Sequence, residues 1–206
     1  SKLGANAILA VLGSMEATGY SQERSKLTVR GLNSTAGEGY WTGGPTPYAM
    51  VRVLLDKEGN QERILGDGEH KAIKDRRVTL APGPKEQVRV VRTIFELRAD
   101  GWGYGKIARH LNLQGTPSPK KRRWIGSTIR KVLRNSVYVG DLTYGRRDKS
   151  KFNDRNGALI QRPKTEWISK ARAWKPIVDR QTWEKVQGSF GGPAGRPLGS
   201  VGYPLS

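Results

Sequence analysis

Clusters of arginine and lysine are the residues of this chain whose type and spacing indicate a definite chemistry, the binding of phosphate groups. They surround residues 127–134, with a Lys-Lys-Arg-Arg run at 120–123 directly before this segment and Arg146 and Arg147 after it. Guanidinium and ammonium groups form charge-assisted hydrogen bonds with phosphate oxygens. The pattern therefore predicts a surface that holds a nucleic acid rather than a site of acid–base or nucleophilic catalysis.

A short helix over residues 127–134 is the element predicted to position these charges. Ile129, Val132 and Leu133 fall at i, i+3 and i+4, so one face is apolar and is expected to be buried. The hydroxyl of Ser127 is expected to cap the first turn. At ~1.5 Å per residue the helix is roughly 12 Å long, about the width of the B-DNA major groove. The surface expected to meet bases and phosphates carries Ser127, Thr128, Arg130, Lys131 and Arg134.

The chain on either side of this helix gives further expectations. Asn135 is expected to end the helix, because Asn tolerates the left-handed conformation found at helix C-termini. Residues 137–139 read Val-Tyr-Val and then meet Gly140, a pattern typical of a strand that enters a turn. Trp124, just before the helix, is assigned mainly to the core.

The composition narrows the class of partner. The chain has 206 residues, with 37 Lys and Arg against 18 Asp and Glu, and a formal net charge of +19. Such an excess of one sign calls for a polyanionic partner. The longest apolar run, at residues 7–12, is far shorter than the about 20 residues that span a bilayer, and no secretory signal pattern is present. The composition therefore makes nucleic acid the expected partner, with no membrane, and the groove-sized basic helix at 127–134 favours double-stranded DNA.

The sequence gives no support for a metal site or a cofactor. It has no cysteine, which excludes disulfides and thiolate zinc sites within the chain. His70 and His110 lie in different segments, without a carboxylate cluster near either, and are interpreted as surface or helix-end residues. We expect no metal ligand and no cofactor.

The predicted elements indicate an α+β fold. Apolar residues at helical spacing, together with a polar second half, predict one long helix over most of residues 5–36. A small mixed domain of helices with short strands and hairpins follows an extended linker. The expected segments are a long helix at 1–36, a linker at 37–47, the mixed domain at 48–187 and a Gly/Pro/Ser-rich tail at 188–206.

The linker is rich in glycine and proline, and such a composition predicts an extended segment without helix. Tyr40 and Trp41 are unexpected in a simple tether. They are interpreted either as anchors on the core or as contacts to a nucleic-acid backbone, and the narrow minor groove suits an extended segment of small residues. The candidate minor-groove residues are Tyr40, Trp41, Thr42, Gly43 and Gly44.

Strands and turns are predicted in the mixed domain. Apolar runs at 48–55 and 61–65 flank an Asp-Lys-Glu-Gly-Asn turn, which favours a β-hairpin. A charged loop follows, in which Asp67 and Glu69 are interpreted as solvated turn residues rather than a catalytic pair. Further short strands are predicted at 78–80, 167–168 and 177–178.

Apolar residues at three- and four-residue spacing predict three further helices, over 84–99, 104–113 and 180–187. Gly101 is expected to end the first of them, and Asp179 to cap the last. The helix at 104–113, the turn after it and the basic helix at 127–134 resemble a helix-turn-helix in outline.

Five segments, in this order along the chain, resemble the large serine recombinases, a family that includes phage serine integrases and transposon resolvases. Residues 25–31 (SKLTVRG) are similar to the end of the family's long helix that leaves the catalytic domain, and 39–45 (GYWTGGP) to its linker. The similarity covers residues 20–187. The remaining matches lie in the family's recombinase domain, at 82–95, 107–115 and 124–140.

The resemblance implies a DNA-binding recombinase domain joined to the exit helix of a catalytic domain. In the family a serine attacks a DNA phosphate, forms a 5′-phosphoserine link, and the ends rejoin after subunit exchange without an energy cofactor. The family's catalytic serine motif and its cysteine-rich zinc ribbon have no counterpart in these residues. We therefore expect no catalytic residue in the chain, and no enzyme activity from the chain as given.

The resemblance also implies a setting. A protein of this kind is encoded by a bacterial or phage mobile element, works in the cytoplasm on the nucleoid, integrates or resolves DNA, and associates as a dimer or tetramer on DNA when full length. In this interpretation the linker follows the minor groove and the helix at 127–134 enters the major groove. The predicted phosphate contacts are Arg122, Arg123, Arg146 and Arg147.

Two other functions remain open from the sequence. One is a stand-alone transcription regulator that uses the same helix pair. The other is an RNA-binding module in which Tyr40, Trp41 and Trp124 stack on bases.

Overall fold

The computed structural model describes residues 2–69, 71, 75–119, 122–148 and 159–190, with side chains described from residue 19 onward. The helices are α1 (Lys2–Gly37), α2 (Lys85–Ala99), α3 (Tyr104–Leu113), α4 (Gly126–Leu133) and α5 (Arg180–Gly188). The strands are β1 (Met50–Leu55), β2 (Gln61–Leu65), β3 (Arg77–Pro82), β4 (Leu142–Tyr144), β5 (Arg147–Asp148), β6 (Ile160–Gln161) and β7 (Ile168–Lys170). The α+β fold class predicted from the sequence is confirmed.

The chain forms two compact units. One contains residues 1–42 and 143–170, and the other contains 43–142 and 171–206. The division into segments at 1–36, 37–47, 48–187 and 188–206 stays a prediction.

The first unit is built on α1. This helix lies against β7, and β7 pairs with β4 in a two-stranded sheet. The pair β5–β6 forms a second small sheet, in which Arg147 lies opposite Gln161. The basic segment after Tyr144 thus forms the base of a hairpin, and residues 149–158 lie outside the described residues. In the part of the chain that the structure describes, no helix is both long and apolar enough to cross a membrane.

A three-stranded antiparallel sheet opens the second unit, in the order β2-β1-β3. The predicted hairpin is confirmed as β1–β2. In its turn the Asn60 N–H donates to the Asp56 carboxylate at 2.7 Å, and Gly59 has a φ of 89°. Glu69 is a turn residue, as predicted. Hydrogen bonds from Arg63 and from the Gly66 N–H hold the pKa of its carboxyl at about 2, despite the opposing effect of desolvation.

Four helices make the core of the second unit. Helix α3 packs on α4, and α2 packs on α3, α4 and α5. Their buried faces repeat at the predicted spacing, and α3 has the bounds that the sequence predicts. Gly101 ends α2 in the left-handed conformation with a φ of 86°, and Asp179 caps α5 by accepting from the Thr182 N–H at 2.8 Å. The buried helix residues are Val91, Ile94, Phe95, Ile107, Ala108, Leu111, Ile129, Val132, Leu133 and Val186.

The strand predicted at 137–139 is wrong, because Ser136–Val139 is a 3-10 turn. The predicted left-handed stop at Asn135 is wrong too. Asn135 has a φ of −93° and a ψ of 105°, and its side chain accepts from the Val137 N–H to cap the 3-10 turn. The reason is tertiary: the Tyr138 carbonyl accepts from both Ile177 and Val178 at 2.9 Å, so no strand partner is available to it.

The strand predicted at 177–178 is wrong as well. The backbone N–H groups of Ile177 and Val178 bond to the 3-10 turn instead of a strand. Gly140 follows the 3-10 turn with a φ of 87°, and a Cβ at this position would lie 2.6 Å from the Trp174 carbonyl oxygen. Only glycine fits here. The strand predicted at 167–168 is confirmed with shifted bounds, as β7.

Candidate nucleic-acid interface

Two hydrogen bonds between Asn112 of α3 and Trp124 fix where α4 begins. The Asn112 side chain donates to the Trp124 carbonyl at 2.9 Å and accepts from the Trp124 N–H at 2.8 Å. Trp124 is 2 % exposed, and its indole N–H donates to the Thr116 carbonyl at 3.0 Å. Its ring also meets Tyr48 edge-on at 5.6 Å. The assignment of Trp124 to the core is confirmed.

The predicted cap at Ser127 is wrong. Helix α4 begins at Gly126, and the extended residue Ile125 is its N-cap, without a side-chain capping bond. The hydrogen bonds between Asn112 and Trp124 hold the chain against α3 just before the helix. The helix therefore starts at Gly126, one residue before Ser127. A Cβ on Gly126 would make ordinary van der Waals contact with the Tyr104 Cβ, at 3.4 Å. Ser127 is left as an exposed residue of the first turn.

The cationic side of α4 faces away from the core. Ile129, Val132 and Leu133 are buried, as predicted. Thr128 is half-buried, and the other predicted residues of this side are exposed. We call the set Ser127, Thr128, Arg130, Lys131 and Arg134 the outer face of α4. Arg122 and Arg123, which precede the helix, are exposed as well.

The outer face of α4 lies within a range of the sequence that contains no carboxylate. No Asp or Glu occurs between Asp100 and Asp141, and we call residues 101–140 the acid-free stretch. Asp141, the acid that ends it, is bonded to Arg180 at 2.7 and 2.8 Å. The charged side chains of the stretch are therefore all cations. They are Lys106, Arg109, Lys120, Lys121, Arg122, Arg123, Arg130, Lys131 and Arg134.

Two exposed apolar side chains, one at the end of α3 and one just before α4, escaped the sequence prediction. Leu113 is 82 % exposed and Ile125 is 57 % exposed. Leu113 directly follows Asn112, and Ile125 directly follows Trp124, to which Asn112 is hydrogen-bonded. The signal for Leu113 was in the sequence, because this residue falls outside the periodic apolar positions of α3. Ile125 keeps the apolar spacing of α4 and is exposed because it is the extended N-cap before the helix.

The predicted minor-groove arm is extended and free of helix, as expected. Tyr40, Trp41 and Thr42 are half-buried, whereas Gly43 and Gly44 are exposed. Both glycines have positive φ values, of 119° and 92°, and a Cβ on either would meet no atom within 4 Å. The need for glycine at these positions is therefore conformational, and the two residues leave space for a close partner. The arm crosses the division between the two units.

Arg146 and Arg147 belong to the first unit, and both are exposed. The guanidinium of Arg146 lies over the ring of Trp167, with its carbon 5.1 Å from the ring centroid. Desolvation, helped by the neighbouring charge of Arg147, lowers the pKa of Arg146. A guanidinium whose charged form is disfavoured by burial and by a neighbouring cation is stabilised by an anion, and a phosphate group provides one.

Within the described residues, no group of three or more His, Asp or Glu side chains is arranged to hold a metal ion. His110 is half-buried, and its ring meets Trp102 edge-on at 5.6 Å. His70 lies outside the described residues.

Comparison with known families bears directly on this region. Residues 85–191 match the sequence model of the Recombinase family, which covers just over half of the chain. The chain belongs to the Recombinase family. The matched region begins with α2, contains the acid-free stretch and the outer face of α4, and extends past α5. The resemblance to the recombinase domain inferred from the sequence is thereby confirmed.

Proposed function

We propose that this member of the Recombinase family binds duplex DNA attachment sites sequence-specifically, as the DNA-binding portion of a large serine site-specific recombinase. One observation carries the proposal: the outer face of α4 is exposed and lies inside a stretch that contains no carboxylate. A solvated protein surface ordinarily mixes both signs of charge. A surface of one sign attracts a polyanion and steers its approach.

The geometry of the helix pair supports duplex DNA. Helix α4 is short, its inner face is fixed on α2 and α3, and its first turn follows directly on the buried Trp124. In helix-turn-helix proteins the N-terminal residues of the second helix contact base edges in the major groove. Ile125 at the N-cap and Ser127 in the first turn occupy the corresponding part of α4, and Arg130 lies three residues further along the helix.

The proposed roles follow from where the residues lie in the chain. Side chains on the helix that enters the groove contact bases, whereas cations before the helix or in the first unit bind phosphates without regard to sequence. We assign base contacts to the outer face of α4, and minor-groove contacts to the arm at 40–44. The residues assigned to phosphates are Arg122, Arg123, Arg146 and Arg147.

Strand cleavage and rejoining are assigned to none of the described side chains. In this proposal the chain finds and holds the site, and the reaction belongs to the serine chemistry of the whole recombinase. The same proposal includes self-association of the full-length protein as a dimer or tetramer on DNA. An RNA-binding module is a weaker alternative, because Trp124 is buried and its ring is covered.

The test is a selection from a library of random-sequence DNA duplexes, followed by affinity measurements. The enriched duplex, a scrambled duplex of the same composition and a single-stranded RNA of the enriched sequence compete for the protein at about 150 mM salt. We expect the enriched duplex to bind most tightly. Equal affinity for the scrambled duplex, or preferred binding of the RNA, would overturn the proposal.

A further inference from the structure

Two arginines and two aromatic rings form a continuous stack at the end of α4. The guanidinium carbon of Arg134 lies 4.8 Å from the centroid of the Phe190 ring. The Phe190 ring is stacked on Tyr104, with centroids 6.1 Å apart and planes inclined by 19°. On Tyr104 in turn lies Arg98, at 4.8 Å. The order of the stack is Arg98, Tyr104, Phe190, Arg134.

One end of this stack is anchored in the fold. The Arg98 guanidinium donates to the Ser189 hydroxyl at 3.2 and 2.9 Å and to the Trp102 carbonyl at 3.0 Å. Ser189 itself donates to the Val186 carbonyl at 2.6 Å. Arg98 thus joins the C-terminal ends of α2 and α5 and presents a fixed surface to Tyr104. The other end, Arg134, is exposed.

The segment after α5 also holds the backbone of α4. The Gln187 side chain donates to the Leu133 carbonyl at 2.7 Å. This carbonyl belongs to the last turn of α4, where the helix itself supplies no donor. Residues 187–190 therefore contact both the last carbonyl of α4 and the side chain of the residue that follows it.

We propose that Phe190 is a positioning residue for Arg134, and that it orients this guanidinium for contact with DNA. The inference rests on the proposed function and deepens it, because it assigns a role to a residue outside the two-helix motif. Phe190 does not itself touch DNA in this account.

The geometry of guanidinium stacking gives the reason. A guanidinium group is planar, and all five of its N–H donors point outward in the plane. A ring on one face restrains the side chain while the donors at the edge stay available for a phosphate or a base. Restraint before binding reduces the rotamer entropy that is lost when DNA binds. Phe190 therefore raises the affinity that Arg134 provides.

The test is a double-mutant cycle on the duplex enriched by selection, with the dissociation constant measured for each variant. Phe190→Leu is expected to weaken binding about two- to fivefold, the range of an exposed cation–aromatic contact. In the Arg134→Ala background the same substitution is expected to cause no further loss. Phe190→Tyr keeps the ring and is expected to bind like the wild type.

Two further variants separate positioning from a loss of structure. Trp102→Leu removes a ring that lies under Lys106, 3.9 Å away, and does not belong to the stack. Its effect on binding is expected to be the same with and without Arg134. Arg134→Lys keeps the charge, removes the planar group and leaves Phe190 intact, so it is expected to weaken binding as Phe190→Leu does.

Additive losses for Phe190→Leu and Arg134→Ala would overturn the inference and leave the proposed function standing. Tighter binding by Phe190→Leu would also overturn it, since the ring would then compete with DNA for the guanidinium. A wild-type chain that does not distinguish the enriched from the scrambled duplex would overturn the proposed function itself.

Discussion

The Asn112 carboxamide pairs with both backbone groups of Trp124, twelve residues later in the chain. One side chain thus replaces the two hydrogen bonds that a neighbouring strand would supply. Because Trp124 precedes the N-cap of α4, this pairing decides at which residue the helix starts and which residues form its outer face.

Replacing Asn112 by alanine is expected to destabilise the fold. Both backbone groups of Trp124 lose their partner in a half-buried position, at a cost of about 1–3 kcal/mol for each unsatisfied group. Thermal unfolding followed by circular dichroism measures the effect. Gln114→Ala, an exposed position two residues later, is the matched control and is expected to leave the midpoint unchanged. Equal midpoints for the Asn112→Ala variant and the wild type would show that the pairing does not fix α4.

Salt dependence and sequence preference are together expected to distinguish arginines that bind phosphates from arginines that contact bases. Affinity should fall with salt at a log–log slope of about −0.9 for each phosphate neutralised. Arg146→Ala is expected to weaken the enriched and scrambled duplexes alike and to reduce the slope by about 1. Arg130→Ala is expected to reduce the preference for the enriched duplex. If Arg130→Ala behaves as Arg146→Ala should, α4 does not read bases, and a slope near zero would remove the electrostatic argument.

Ile125 is expected to contact a thymine methyl group. It is a large apolar side chain exposed at the start of α4, and the thymine methyl is an apolar feature of the major groove. Replacing single thymines of the enriched duplex by deoxyuridine removes this methyl and little else. At one position the wild type should lose affinity while Ile125→Ala does not respond. Leu113→Ala, which changes another exposed apolar residue, is the control. The same response of Ile125→Ala and the wild type at every position would exclude the contact.

Acid is expected to weaken the second unit through Asp141. Burial raises the pKa of this carboxyl, but hydrogen bonds from Arg180 and the Arg172 N–H outweigh it and leave the pKa below its usual 3.8. A depressed pKa contributes stability that is present above pH 3.8 and is lost as the pH falls through the lower folded value. Asp141→Asn should therefore show a smaller loss of unfolding free energy in this acidic range than the wild type.

The matched control for this experiment is Asp75→Asn. Asp75 forms an exposed pair with Lys57 at 3.2 Å, and exposed pairs contribute little to stability. Its acid dependence should follow that of the wild type. An Asp141→Asn profile that also follows the wild type would contradict the assignment of the acid effect to Asp141.

Most helices and the β1–β2 hairpin were predictable because their signals are local. Periodic apolar residues fixed the bounds of α3, and the Asp-Lys-Glu-Gly-Asn turn marked the hairpin. The errors at Ser127 and at residues 137–139 have a different origin, since distant groups decide these conformations. Asn112 starts α4 before Ser127, and the Tyr138 carbonyl is bonded to residues about forty positions later.

The candidate site was predictable in part for the same reason. The outer face of α4 follows from periodicity and charge alone, and all but one of its predicted residues are exposed, with Thr128 half-buried. The stack that ends on Arg134 joins α2, α3 and the segment after α5. No local pattern indicates it, because Tyr104, Arg134 and Phe190 are far apart in the sequence.

Methylation interference on the enriched duplex shows whether the outer face of α4 enters the major groove, because it reports the major groove at guanine N7 and the minor groove at adenine N3. We expect methylation of particular guanines to block the wild type, and at least one of these positions no longer to matter to Arg130→Ala or Lys131→Ala. If no guanine interferes, or if both variants keep the wild-type pattern at every guanine, the outer face of α4 does not enter the major groove.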